Sequence, residues 1–217
     1  MRVYHFCNKQ FGLENIQKRR LKVSTFLAVN DPFEFICHNL SDIKLRQQIL
    51  NFRESIAAKH GMICFSESKE SPVQWAHYSD RHTGICLGFD IPDDFLTKVN
   101  YTKSRLDFRL TPPTPSGDFN LQTNEMFTTK YEHWAYEQEY RMFGDLGEPD
   151  KTSGLYFKQF DENLVLREIA VGYSSDITRD DISKSIENMT DKIDDYKVRP
   201  AFTSFRMVRN KDKSLWK

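Results

Sequence analysis

Tyr136-Glu137-Gln138-Glu139-Tyr140-Arg141-Met142-Phe143 is the stretch whose reading decides the fold. Its two-residue period is that of a β-strand, with Glu137, Glu139 and Arg141 on one face and Tyr136, Gln138, Tyr140 and Met142 on the other. A helical pattern precedes it over about 120–135, and further strands follow at 155–160 and 166–172 with no helix between them. Strands and helices therefore do not alternate regularly along the chain. That order predicts an α+β fold, a mixed and largely antiparallel sheet flanked by helices, over a doubly wound parallel one.

Towards the N-terminus, residues 1–6 read as a short strand and Phe11 to Arg20 as a short helix with a basic C-terminal end. Val23 to Val29 is expected to be extended, leading into a turn at Asn30-Asp31-Pro32, where proline pushes Asp31 out of helical geometry. Ile43, Leu45, Ile49, Leu50, Phe52 and Ile56 mark an amphipathic helix within 41–60 that Gly61 ends. Met62 to Ser66 has the character of a buried strand. Ser71-Pro72 is a helix start that makes Trp75 to Ser79 helical, and Thr83 to Phe89 is strand-like. Towards the C-terminus, Thr111 to Gly117 is a proline-rich loop within the domain, suited to a lid. Thr178 caps a helix over about 178–189, and one strand closes the chain over about 198–209.

A length of 217 residues without a composition break predicts one domain. Lysine and arginine number 31, as do aspartate and glutamate, so no global field draws the chain to nucleic acid or an anionic membrane. No apolar run approaches the roughly 18 residues of a membrane span. The opening Met1-Arg2-Val3-Tyr4-His5-Phe6 lacks the apolar core of a secretory signal, and Cys7, Cys37, Cys64 and Cys86 form no C-x-x-C pair. A cytoplasmic protein with four reduced thiols is expected. Aromatic residues make up 13%, with 17 phenylalanines, enough for some rings to line a ligand site.

Two carboxylates two residues apart can divide labour: Glu139 can stabilise cationic charge and hold a hydroxyl while Glu137 takes a proton. The pattern alone favours a solvated charged face for this strand. Tyr4-His5-Phe6 and Trp75-Ala76-His77-Tyr78 gather aromatic and donor groups that could grip a flat ring. His77 and His82 are not on one helical face, and no metal site is expected. The phosphate-binding P-loop, the Rossmann glycine fingerprint and the G-x-S-x-G elbow are absent from the sequence.

Asn30-Asp31-Pro32-Phe33-Glu34, Phe65-Ser66, Trp75-x-His77-Tyr78 and Glu137-x-Glu139-x-Arg141 resemble the motifs of a widespread bacterial domain-of-unknown-function family, whose name carries no activity. The order of a histidine on the first strand, a serine on a later one, an aromatic on the following helix and a Glu-x-Glu is also similar to ADP-ribosyltransferases, including DNA-modifying toxins. That resemblance implies an ADP-ribosyltransferase-like fold and NAD as co-substrate. It implies Glu139 as catalytic glutamate, Glu137 as the group orienting or deprotonating the acceptor, and His5 as holding the ribose or pyrophosphate. Ser66 would support the site, and Trp75 or Tyr78 would stack on nicotinamide. Asn30, Asp31, His77 and Arg141 complete the expected NAD-contacting set. The implied acceptor is RNA, DNA or protein, the implied setting a toxin or anti-phage effector with a neutralising antitoxin. Phe65-Ser66-Glu67 departs from the Ser-Thr-Ser of many such enzymes. A nucleotide-sensing or partner-binding module without catalysis, and a nuclease, are the alternatives.

Overall fold

The computed structural model describes residues 1–108 and 121–216. The proline-rich run at 111–117 lies outside them. Strand β1 (Arg2–Cys7) leads into helix α1 (Lys9–Gln17), whose first turn is satisfied by Asn8 accepting from the Phe11 N–H. Strand β2 (Arg20–Thr25) begins and ends earlier than its expected span, because the segment after Thr25 turns towards Asn30-Asp31-Pro32, where Asp31 accepts from the Phe33 N–H at 2.9 Å. Helix α2 (Ile43–Ala57) is capped by Asp42 and followed by strand β3 (His60–Ser66). Helix α3 (Pro72–Tyr78) starts as read, with Ser71 at the cap and proline in the first turn. It unwinds through three consecutive left-handed residues, Asp80, Arg81 and His82, at φ 47°, 54° and 68°. Strand β4 (Ile85–Asp90) follows Gly84, where a Cβ would lie 2.1 Å from the Cys7 carbonyl oxygen, so only glycine admits this approach.

Two short strands, β5 (Thr97–Lys98) and β6 (Asn100–Thr102), carry too few residues to show a period. The helix expected over 120–135 is α4 (Leu121–Thr128), strand β7 (Thr129–Tyr131) and a 3-10 segment, Glu132–Glu137. The strand expected at 136–143 is β8 (Glu139–Asp145), which starts after Gln138 turns through the left-handed region at φ 46°. Strands β9 (Tyr156–Gln159) and β10 (Val165–Val171) precede helix α5 (Arg179–Ile186), where Thr178 and Asp181 form a capping box. The single closing strand is a hairpin of β11 (Asp194–Pro200) and β12 (Met207–Arg209), because Pro200 lacks the N–H that would extend the ladder.

Among the described residues ten strands join one mixed, largely antiparallel sheet in the order β12-β11-β10-β4-β1-β3-β2-β9, with β8 on β3 and β5 on β8. Helices α1 and α5 cover one face over Val3, Ile85, Leu87, Phe89 and Ile169, while α3 covers the other through Trp75 against Cys86, Ala170, Tyr196 and Val198. Among the described residues no helix is long and apolar enough to cross a membrane.

One irregularity of the sheet positions everything that follows. β8 pairs with β3 along its whole length, whereas the opposite edge of β3 is shared. β2 takes Gly61 and Met62, β1 takes only Ser66, and the sheet splays between them. The Cys64 carbonyl, left without a ladder partner in that gap, accepts from His5 Nδ1 at 2.9 Å.

Candidate functional site

The gap opens into a cleft of about 410 Å³. β1 lines it with Tyr4, His5 and Phe6, β3 with Cys64 and Ser66, the turn after β2 with Asn30, and α3 with Gln74, His77 and Tyr78; Glu34, Lys130, Glu137 and Glu139 also border it. Seven residues anticipated from sequence therefore meet here: His5, Asn30, Ser66, His77, Tyr78, Glu137 and Glu139.

Three anticipated residues do not line it. Trp75 is completely buried, donates its indole N–H to the Lys69 carbonyl at 2.7 Å and packs edge-on against Phe6, so of the two candidate stacking rings only Tyr78 borders the cleft. Asp31 is a buried turn residue. Arg141 lies behind the cleft wall, where it holds carboxylates and touches no open space.

The solvated face expected for this segment is overturned: Glu137, Glu139 and Arg141 are 6%, 4% and 0% exposed. The left-handed Gln138 sets Glu137 at the end of the 3-10 segment and Glu139 at the start of β8, and two buried cations meet them. Arg141 Nε and Nη2 donate to the two Glu139 oxygens at 2.9 and 3.1 Å, Nη2 also reaches Glu34 at 2.6 Å, and Nη1 donates to the Phe127 carbonyl. Lys130 donates to Glu137 at 2.7 Å and Glu139 at 3.3 Å and lies 3.7 Å from Glu34. Three carboxylates thus face two cations at the cleft floor.

Burial pushes the Glu139 pKa up, but Arg141 and Lys130 more than offset this and hold it at about 2. Glu34, also buried and facing the same cations, is nevertheless raised. Burial likewise lowers the His5 pKa, only partly opposed by its bond to Cys64, so the ring is neutral. A carbonyl oxygen can only accept, so Nδ1 carries the proton and Nε2 is left as an acceptor.

Backbone braces fix this floor. Ser66 Oγ sits 2.7 Å from the Glu137 carbonyl oxygen, which also accepts from Gln74 Nε2 at 2.7 Å. The Glu139 N–H donates to the Tyr101 hydroxyl at 2.9 Å. The Tyr78 hydroxyl donates to Glu137 and accepts from Asn30 at 3.2 Å. Ser66 and Gln74 thereby tie β3 and α3 to the segment bearing both glutamates.

Sequence reading missed Glu34, Gln74, Lys130 and Tyr101. Glu34 had a signal, since it closes the Asn30-to-Glu34 motif. Gln74 stands beside the noted Trp75. Lys130 had none, because the bend between α4 and β8 that brings it back onto Glu137 has no local signature. Among the described residues no group of three or more His, Cys, Asp or Glu side chains could hold a metal.

Residues 74–142 match the family described as Protein of unknown function (DUF2971). The matched stretch starts at Gln74 and ends just past Arg141, so it takes in α3 from Gln74 on, Lys130 and both glutamates and excludes His5, Glu34 and Ser66. No curated protein and no solved structure matches the chain.

Proposed function

We propose that the cleft takes the nicotinamide and ribose end of NAD and that the protein is an ADP-ribosyltransferase acting on an intracellular macromolecule. The observation that carries this reading is that His5, Ser66, Tyr78 and the Glu137/Glu139 pair, drawn from separate segments, border one cleft whose floor sets three carboxylates against two cations and keeps Glu139 ionised. A sheet that splays open around its site is in keeping with an ADP-ribosyltransferase-like fold.

NAD supplies the ADP-ribosyl group through cleavage of its nicotinamide–ribose bond. Glu139, kept ionised by Arg141 and Lys130, stabilises the positive charge that develops on the ribose as that bond's electrons leave with nicotinamide. The neutral His5 accepts from a ribose hydroxyl through Nε2; without a free N–H it is unsuited to pyrophosphate, which narrows its role to the ribose. Tyr78 offers its ring to nicotinamide while its hydroxyl orients Glu137. Glu137 takes the proton of the attacking acceptor group as the new bond to the ribose forms. Lys130 is occupied by three carboxylates, so the pyrophosphate and adenosine lie towards the cleft mouth. An enzyme that modifies a macromolecule of its own host fits a toxin or anti-phage effector held in check by an antitoxin.

Purified protein should release nicotinamide from NAD and transfer label from NAD to cellular nucleic acid or protein. Glu139→Gln should lose at least 100-fold in release, in line with loss of one electrostatic stabiliser, while its circular dichroism is unchanged. Full release by a folded Glu139→Gln protein overturns the reading. One observation favours a second reading, a nucleotide-binding module without turnover: every floor carboxylate is already held by Arg141 or Lys130. That module would show an NAD-dependent rise in melting temperature and no nicotinamide release.

A further inference from the structure

Phe202 and Phe205 are 90% and 99% exposed, at the tip of the loop that joins β11 to β12. The loop is not loose. The Ala201 N–H donates to the Arg206 carbonyl at 2.8 Å across its neck, and the Met207 N–H donates to the Glu70 carbonyl at 2.8 Å. Below the tip, Tyr196, Val198 and Met207 are buried with Trp75. The structure therefore spends an anchored hairpin on holding two phenyl rings in water, which burial alone does not explain.

The hairpin opens with Asp194 and Asp195 at its base, but towards the rings its charge is basic. Residues 196–211, Tyr-Lys-Val-Arg-Pro-Ala-Phe-Thr-Ser-Phe-Arg-Met-Val-Arg-Asn-Lys, hold five basic residues and no acidic one, in a chain whose net charge is zero. The Arg199 guanidinium lies 4.2 Å over the Phe202 ring, and Arg199 pairs with no carboxylate among the described residues. Arg206 and Arg209 pair with Glu70 and Asp194 only through exposed contacts, which are weak and readily exchanged for phosphate.

We propose that this hairpin is a docking arm for single-stranded nucleic acid. Two exposed aromatic faces flanked by arginines match what an unpaired strand offers, bases free to stack and phosphates alternating with them. A duplex hides its base faces and would leave the phenyl rings unused. The arm also lies beside the cleft: Glu70, which holds Met207 and Arg206, immediately precedes the cap of α3, the helix that carries His77 and Tyr78 into the cleft wall. A strand held on the tip could thus reach the cleft mouth. That last step rests on the proposed transferase activity; the docking itself does not.

The test is fluorescence anisotropy of the full chain with labelled oligothymidine and oligouridine of about twenty nucleotides, against a duplex of equal length. The mixture contains no NAD, so binding is read whether or not the cleft turns NAD over. Both single strands, or one of them, should bind more tightly than the duplex, and the preferred one identifies DNA or RNA as the partner. Phe202→Ala/Phe205→Ala should weaken binding roughly tenfold or more, with an unchanged urea midpoint because both rings are exposed. Arg199→Ala should make the salt dependence shallower by about 0.7 in the log–log slope, the loss of one phosphate contact. Unchanged affinity in the double alanine variant, tighter duplex binding or no binding overturns the proposal. So does a phenyl-dependent association with anionic vesicles or with a second copy of the chain.

Discussion

Two charge clusters, each around a buried carboxylate, are built from similar parts to different ends. At the cleft, Glu34, Glu137 and Glu139 face Lys130 and Arg141. On β10, Glu168 is held by Lys69, by Arg2 at 3.5 Å and by the Tyr196 hydroxyl, while Asp90 pairs with Arg2 and Arg167, and Arg167 with Asp191. There three carboxylates meet three cations, and the Lys69 ammonium is further covered by the rings of Tyr4 and Tyr196 at 5.1 and 5.4 Å. The second cluster is balanced and, apart from the buried Glu168, partly open to solvent, a pin between the sheet and its last hairpin. The first carries surplus acid and opens onto a cleft. A buried carboxylate held by cations is common to both, so it is the imbalance and the cleft that mark a place where a positive charge can be received.

The strongest way to break this contrast is Arg141→Met. It leaves Glu34 and Glu139 buried without their principal partner and should cost about 3–5 kcal/mol in urea unfolding; a loss below about 1 kcal/mol would mean that the cluster does not hold the cleft together. Glu168→Gln removes charged hydrogen bonds from the balanced cluster and should cost about 1.5–3 kcal/mol. Nicotinamide release by that variant should stay at the wild-type level, and a parallel loss of release would erase the distinction between the clusters.

Acid sharpens the comparison further. The Glu139 pKa is depressed in the fold, so its contribution to stability is complete above the ordinary value of 4.5 and is lost as pH falls through about 2. Melting temperatures across that window should drop more steeply in the wild type than in Glu139→Gln. Glu34 is raised instead and works in the opposite direction: its protonated form is favoured by the fold, so at neutral pH its charge opposes stability. Glu34→Gln should therefore change the neutral-pH urea midpoint by less than about 1 kcal/mol, the smallest effect of the set, because Glu139 still answers Arg141. A large loss in that variant would show that the surplus carboxylate is structural.

Local chemistry made much of the architecture legible. Ser71-Pro72 opened α3 and Thr178 opened α5, since a cap needs only the few residues around it. The apolar runs at Met62 and Ile85 read as strands because both faces of β3 and β4 are covered. The segment 120–145 was read less well. Its helix was too long and its strand began three residues early, because one left-handed residue, Gln138, and the short strand β7 have no periodic signature. At the site, it was the resemblance to ADP-ribosyltransferases that singled out His5, Ser66, Tyr78 and the glutamate pair. Trp75 was misjudged because an indole reads alike whether it stacks on a ligand or fills a core.

The sequence by itself determined most of the longer helices and strands, the mixed, largely antiparallel order they imply, and the alternation that puts Glu139 and Arg141 on one side of β8. Only the tertiary structure decided that this side faces protein and not water. A two-residue period assigns residues to faces but cannot say what covers a face. Here the cover is Lys130, folded back from just upstream, and Glu34, brought from a distant part of the chain, and beside the gap between β1 and β2 they turn a strand that reads as solvated into the floor of a charged cleft.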